Sequence, residues 1–135
     1  MFFVQAISYS TILVLFMVTS HVRTDSSEEE EKLMVKCMEE ASVTKEEVKV
    51  FRTDKISDKI LCFMKCRFES EGMFDENGVI IKEMLQEGYD DFGWNDEQKI
   101  KADECIDNMK PAKECGDLAD FFSCLPVINY GELIK

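Results

Sequence analysis

Six cysteines are the residues whose type and spacing bear most directly on chemistry: Cys37, Cys62, Cys66, Cys105, Cys115 and Cys124. A cysteine can bind a metal, attack a substrate or form a disulfide. A zinc site is disfavoured, because the spacing lacks two close pairs and the one histidine, His21, lies near the amino terminus. A catalytic thiol needs a neighbouring base, and no histidine follows His21. We therefore expect no metal, no cofactor and no catalytic residue, and predict that the chain is not an enzyme.

Disulfide formation is the remaining chemistry, and six cysteines can form three bonds with fifteen possible connectivities. Cys62 and Cys66 are four residues apart, so on a helix they share one face and each can reach a different neighbouring helix. Bonding them to each other would close a single turn, whereas bonds to distant helices close long loops and stabilise more. This reasoning leaves the individual partners open.

The amino terminus predicts secretion. Residues 12–18 are an unbroken apolar run, and no charged side chain precedes Arg23. Such a run is typical of a signal peptide and is too short to span a bilayer. We predict a signal peptide at residues 1–20, with cleavage between 20 and 24, followed by one domain over 21–135. The expected location is extracellular, with no stable membrane association.

The charge balance excludes one class of partner. The chain has 16 basic and 28 acidic residues, a net charge of −12 at pH 7. A phosphate backbone would be repelled by that charge. We expect no nucleic acid partner.

Helical periodicity and capping residues predict the elements that position the cysteines. The predicted helices are 27–41 and 44–51, each opened by a capping box, then a central helix at 60–68, a short helix at 79–85, one from Asn95 to a stop at Pro111, and one at 115–125. No alternating run is long enough for a strand. The tail, residues 127–135, lacks a helical signal but is too apolar for a free terminus. The fold class is therefore all-α, with about six short helices and three disulfides.

The gaps between successive cysteines, of 24, 3, 38, 9 and 8 residues, are the most specific pattern in the chain. With the order of helices and the signal peptide, they resemble the insect odorant-binding proteins, in particular the six-cysteine pheromone- and general-odorant-binding class. The resemblance covers roughly residues 30–125 and includes the turn at 72–78 after the third cysteine.

The resemblance implies a pairing, a cavity and a role. The pairing is Cys37 with Cys66, Cys62 with Cys115, and Cys105 with Cys124. The helices would surround an apolar cavity, in which a secreted carrier binds small hydrophobic ligands, odorants or pheromones, and takes them through aqueous fluid to a chemosensory receptor. The protein would be a monomer or a weak homodimer.

Candidate ligand-binding residues follow from that expectation, although any one of them is more often plain core. The candidates are Met38, Phe63, Met64, Phe68, Met84, Leu85, Trp94, Ile106, Met109, Phe122, Val127, Ile128 and Tyr130. Six methionines follow residue 20, and flexible methionines suit a site that repacks around varied ligands.

Two segments have alternative interpretations. Tyr89, Phe92 and Trp94 either line a ligand entrance or pin a loop. The resemblance suggests that the tail folds over the cavity as a lid; otherwise it is a docked structural tail.

Other functions stay open beside the olfactory carrier. The same fold could carry a hydrophobic ligand in reproductive fluid, venom, saliva or haemolymph, and a cavity-free secreted interaction domain is a further alternative. A phospholipase would need a histidine next to an aspartate on a helix, which the sequence lacks.

Some members of the family that the chain resembles release their ligand at acidic pH. Without a histidine after His21, that would need carboxylates of raised pKa in the tail or at Asp90 and Asp91.

Overall fold

The computed structural model describes residues 27–133. The predicted signal peptide at 1–20, its cleavage region and His21 lie outside the described residues, as do residues 134–135. Backbone contacts divide the chain into two compact units, 1–35 and 36–135. Within the first unit the structure describes residues 27–35, which are helical. The second contains all six cysteines.

The described residues form an all-α fold, as predicted. Residues 27–41 are helical and are called α1. The later elements are α2 (Lys45–Val50), α3 (Asp58–Ser70), α4 (Lys82–Glu87), α5 (Asp96–Asp107), a 3-10 turn (Cys115–Asp117), α6 (Leu118–Cys124) and α7 (Tyr130–Leu133). Within 27–133 there is no strand, only isolated β-bridges. No helix in this part of the chain is long and apolar enough to cross a membrane.

Side-chain caps fix where three of these helices begin. At α2 the Thr44 hydroxyl accepts from the Glu47 N–H, and the Glu47 carboxylate accepts from the Thr44 N–H at 2.8 Å. Asn95 and Gln98 form the same reciprocal box at α5. The Ser57 hydroxyl caps α3 by accepting from the backbone N–H of Ile60. Capping boxes satisfy amide groups that have no partner inside the helix, which is why the sequence located the starts of α2 and α5. The helix α3 begins at Asp58, two residues before its predicted start.

The central helix α3 carries the densest set of buried side chains and two of the cysteines. Its buried apolar residues are Ile60, Leu61, Phe63, Met64 and Phe68. Disulfides join Cys37 to Cys66, Cys62 to Cys115, and Cys105 to Cys124, with Cα–Cα distances of 5.5, 4.7 and 5.7 Å. These are the pairs that the resemblance implies. Two of the three bonds therefore anchor α3.

The segment predicted as a helix at 79–85 begins later than expected. Residues 79–81 are not helical: Ile80 pairs with Phe74 in an isolated antiparallel bridge, and the Ile81 N–H donates to the Met73 carbonyl at 2.8 Å. The helix α4 starts only at Lys82. Val79, Ile80 and Ile81 are all β-branched, and such side chains favour extended backbone over helix.

The tail also differs from the prediction, because it contains the one-turn helix α7 (Tyr130–Leu133). An isolated turn of this length does not form on propensity alone, since helix nucleation is unfavourable. The tail is therefore ordered by what it packs against, a contact that local sequence does not encode.

The longest and the shortest of the three cross-links give a stability prediction. In the chain-entropy model, losing the Cys62–Cys115 bond, with a separation of 53 residues, costs about 4 kcal/mol, against about 3 kcal/mol for Cys105–Cys124, with a separation of 19. We expect the double variant C62A/C115A to lose more free energy of unfolding in urea than C105A/C124A. An equal loss, or the opposite order, would contradict this account.

Candidate functional site

A cavity of about 220 Å³ lies within the second unit, between the carboxyl-terminal half of α3, α4, α6 and the tail. Its lining is mostly apolar: Phe51, Thr53, Met64, Arg67, Phe68, Glu71, Met73, Met84, Leu85, Gly88, Phe92, Phe121, Phe122, Leu125, Ile128, Tyr130 and Leu133. An apolar cavity of about 150 Å³ already admits benzene, so this one has room for a small apolar molecule.

Seven of the thirteen residues proposed from the sequence line this cavity: Met64, Phe68, Met84, Leu85, Phe122, Ile128 and Tyr130. Met64 and Phe68 are four residues apart on α3 and so share a face. The Phe68 ring stacks on Phe122 of α6 with centroids 6.0 Å apart. Helical spacing on α3 thus brings two of the proposed residues to the same wall, and the ring contact of Phe68 with Phe122 joins that wall to α6.

The other six proposed residues lie outside the lining: Met38, Phe63, Trp94, Ile106, Met109 and Val127. Phe63 is fully buried core and packs edge-on against Tyr130, with centroids 6.4 Å apart. Ile106 is buried on α5, and Val127 is half exposed. Met109 lines a separate cleft beside the Cys105–Cys124 bond that also contains charged residues. Apolar periodicity identifies a buried face but not which part of that face borders a cavity.

Ten lining residues are not among the thirteen ligand-binding candidates: Phe51, Thr53, Arg67, Glu71, Met73, Gly88, Phe92, Phe121, Leu125 and Leu133. One of them, Phe92, belongs to the aromatic segment for which a ligand entrance is one interpretation. Phe121 and Leu125 are four residues apart around α6, so helical spacing could have identified them. Arg67 and Glu71 are charged, and a search for apolar lining residues passes over them. Thr53 lies between helices, where no periodicity applies.

The tail forms one wall of the cavity and is held there by backbone hydrogen bonds. The Thr53 N–H donates to the Ile128 carbonyl at 3.1 Å, and the Ile128 N–H donates to the Thr53 hydroxyl at 2.9 Å. The Tyr130 N–H donates to the Phe51 carbonyl at 3.3 Å. The Tyr130 ring stacks on Phe51 with centroids 4.8 Å apart. Two tail side chains, Ile128 and Tyr130, are thereby placed against the cavity.

A glycine allows this close approach. A Cβ atom at Gly131 would lie 1.8 Å from the carbonyl oxygen of Lys49 at the end of α2. Since no side chain fits at that distance, the tail can dock in this position only with glycine at 131.

The aromatic segment after α4 contributes one residue to the lining, Phe92. Trp94 is buried and packs on Phe92 and Tyr89, with centroids 4.8 and 5.2 Å apart. The Tyr89 hydroxyl donates to Asp103 Oδ1 at 2.7 Å. Burial raises the pKa of Tyr89 strongly, and the hydrogen bond to Asp103 raises it further. Tyr89 and Trp94 therefore pin the loop that presents Phe92.

Asp90 does not have the raised pKa that an acid-sensing carboxylate would need. Its carboxylate accepts a hydrogen bond from Lys99 Nζ at 2.7 Å, and this bond together with the lysine charge lowers the pKa of Asp90. The hypothesis of acid-triggered release is wrong for this residue, because Asp90 keeps its negative charge further into the acid range than an ordinary aspartate.

Comparison with known protein families identifies a match over most of the chain. The model of the PBP/GOBP family, the pheromone- and general-odorant-binding proteins, matches residues 19–126. Neither the curated proteins nor the solved structures contain a significant match to this chain. The matched region includes every cysteine and most of the cavity wall, and it ends just before Val127, where the tail begins.

The close approach at Gly131 gives a prediction about the tail. In Gly131→Ala the added methyl would collide with the Lys49 carbonyl, so the tail should undock. We expect the amide protons of Ile128 and Tyr130 to lose their protection from hydrogen exchange. Gly116→Ala is the matched control, because a Cβ at Gly116 meets nothing within 4 Å. Undiminished protection of both amides in Gly131→Ala would show that the tail does not depend on this contact.

Proposed function

The chain belongs to the PBP/GOBP family, and on that premise we propose that it is a secreted carrier of small apolar molecules, odorants or pheromones. It takes them up in the cavity between α3, α4, α6 and the tail, and transports them through aqueous fluid to chemosensory receptors. Members of the family are binding carriers and not enzymes. The observation that carries the proposal is the predominantly apolar cavity within the cross-linked unit.

The physical basis of binding is burial of apolar ligand surface. Each Å² removed from water contributes about 25 cal/mol, less the cost of ordering the ligand and the cavity wall. The lining supplies aromatic faces from α3 and α6, which add favourable contacts to that burial. No chemical step is needed for this role.

The methionines in the lining suit a carrier of more than one ligand. Met64, Met73 and Met84 all border the cavity. An unbranched thioether side chain repacks at low cost and is polarizable, so it adapts to ligands of different shape. This supports a site with a preference for apolar chains or rings and without a single rigid outline.

The cavity bears differently on the two alternatives to an olfactory carrier. A carrier that works outside olfaction, in reproductive fluid, venom, saliva or haemolymph, would use the same cavity, and the tissue of expression discriminates between the two. A cavity-free interaction domain would need no such space between its helices. The cavity favours a carrier over that alternative.

The proposal is tested by displacing an apolar fluorescent probe from the oxidised protein with long-chain alcohols, aldehydes and esters. Met84→Trp places a larger side chain in the cavity wall. It should weaken probe binding at least about tenfold, because the tryptophan takes up space in which the probe would bury apolar area. Met109→Trp is the matched control, because Met109 is also partly exposed but lies outside the lining.

Three results would count against the carrier role or its site. Failure of the native protein to bind any probe or ligand would overturn the function. Equal weakening by both tryptophan variants, or weakening by Met109→Trp alone, would move the binding site away from this cavity.

A further inference from the structure

One wall of the cavity lies in a stretch of chain that carries no cross-link of its own. Between Cys66 and Cys105 the sequence has no cysteine, and this stretch contains α4 and the aromatic segment that follows it. Leu85, Gly88 and Phe92, all from this stretch, border the cavity. Their positions therefore depend on non-covalent contacts.

The Phe92 ring is placed in the wall by two neighbours. A Cβ atom at Gly88 would lie 3.2 and 3.3 Å from Cζ and Cε2 of Phe92, so the ring lies directly against the Gly88 backbone. The Trp94 ring contacts the Phe92 ring with centroids 4.8 Å apart, and Tyr89 packs on Trp94 at 5.2 Å. Tyr89 and Trp94 are both buried. The location of Phe92 thus depends on where these two rings are held.

Asp103 of α5 holds the Tyr89 ring from outside the cavity. The Tyr89 hydroxyl donates to Asp103 Oδ1 at 2.7 Å, and Gln86 Nε2 of α4 donates to the same oxygen at 3.0 Å. Burial raises the pKa of Tyr89 strongly and the bond to Asp103 raises it further, so the hydroxyl keeps its proton and remains a donor. The helix α5 is itself cross-linked to α6 through Cys105 and Cys124. One carboxylate oxygen therefore ties the unlinked stretch to a cross-linked helix.

From these contacts we infer that Asp103 is a positioning residue for ligand binding, although it does not line the cavity. Asp103 fixes the Tyr89 ring, and the contact of Tyr89 with Trp94 carries that constraint inward. Trp94 then keeps the Phe92 ring in the wall. A wall that is already ordered costs less to bind against than one that the ligand must order. The inference rests on the proposed function, since it concerns binding in the same cavity.

A second carboxylate on α5 provides a matched control. Asp107 lies one turn beyond Asp103 and pairs with Lys82, the first residue of α4. Its side chain is 59% exposed, and its partner is not a member of the aromatic segment. Asp107→Ala therefore removes the same charge and a link between the same two helices, but leaves the bond to Tyr89 in place.

The test measures the Kd of the apolar probe N-phenylnaphthylamine for the oxidised protein and its variants. Asp103→Ala removes the oxygen that accepts both bonds, and Tyr89→Phe removes only the hydroxyl and keeps the ring. Asp103→Asn removes the charge but keeps a side-chain oxygen that can accept from both donors. The active fraction is fitted in each titration, so that a loss of folded protein does not register as weaker binding.

We expect Asp103→Ala and Tyr89→Phe to raise the Kd about fivefold or more, as is usual for the loss of one contact in a coupled set. Asp103→Asn should stay within about twofold of the unmodified protein, because the geometry is kept. Asp107→Ala should also stay within about twofold, as expected for an exposed ion pair. If Asp103→Ala does not fold, Tyr89→Phe decides the question.

The route through Phe92 is tested by repeating Asp103→Ala and Tyr89→Phe in a Phe92→Ala background. Phe92→Ala removes the ring that Asp103 positions, so either change should then raise the Kd by no more than about twofold further. A general structural role of Asp103 would keep its full effect in both backgrounds, because effects that do not share a route are additive.

The outcomes separate this inference from the proposed function. If the probe binds but Asp103→Ala and Tyr89→Phe leave its Kd unchanged, the inference is overturned and the carrier role stands. Full additivity with Phe92→Ala, an equal loss in Asp107→Ala, or a loss in Asp103→Asn as large as in Asp103→Ala would each overturn it too. If the probe does not bind to the unmodified protein, the carrier role fails and the inference fails with it.

Discussion

The anchoring of α3 by two disulfides is the constraint on which the rest of this structure depends. Cys66 ties the helix to Cys37, and Cys62 ties it to Cys115. A small domain that keeps space between its helices gives up packing, at about 24 cal/mol per Å³ of cavity in core-truncation series. Each long-loop disulfide offsets this loss by about 3 to 4 kcal/mol in the chain-entropy model. Cross-linking thus permits an apolar cavity that packing alone would tend to close.

The same helix supplies both the apolar wall and the charged position. Met64 and Phe68 contribute apolar surface to the cavity, while Arg67 and Glu71, near the carboxyl-terminal end of α3, add one ion pair. Because residues four apart share one face of a helix, Cys62 with Cys66 and Met64 with Phe68 form separate rows along α3, so one helix serves both the disulfides and the cavity. The apolar wall and the ion pair are thereby held on one helix that two disulfides anchor.

The tail completes the cavity by a different kind of interaction. Its contacts are backbone hydrogen bonds to Thr53 and Phe51, a ring stack, and a glycine pressed against Lys49. None of these is covalent, and α7 is too short to persist without them. The helices α3 and α6 therefore border the cavity with cross-linked cysteines in their sequence, whereas the tail is held only by non-covalent contacts.

The sequence by itself determined the helical class, the starts of α2 and α5, and the cysteine spacing, because capping, periodicity and chain spacing are local properties. The partners of the cysteines followed only from the resemblance. Tertiary structure alone decided that Phe63 and Trp94 are core while Phe51 and Phe121 line the cavity, since identical apolar periodicity serves both. It also decided that α7 forms and that Arg67 and Glu71 reach the cavity wall. Those features depend on contacts between residues far apart in the chain, such as Ile128 with Thr53, and no local pattern records them.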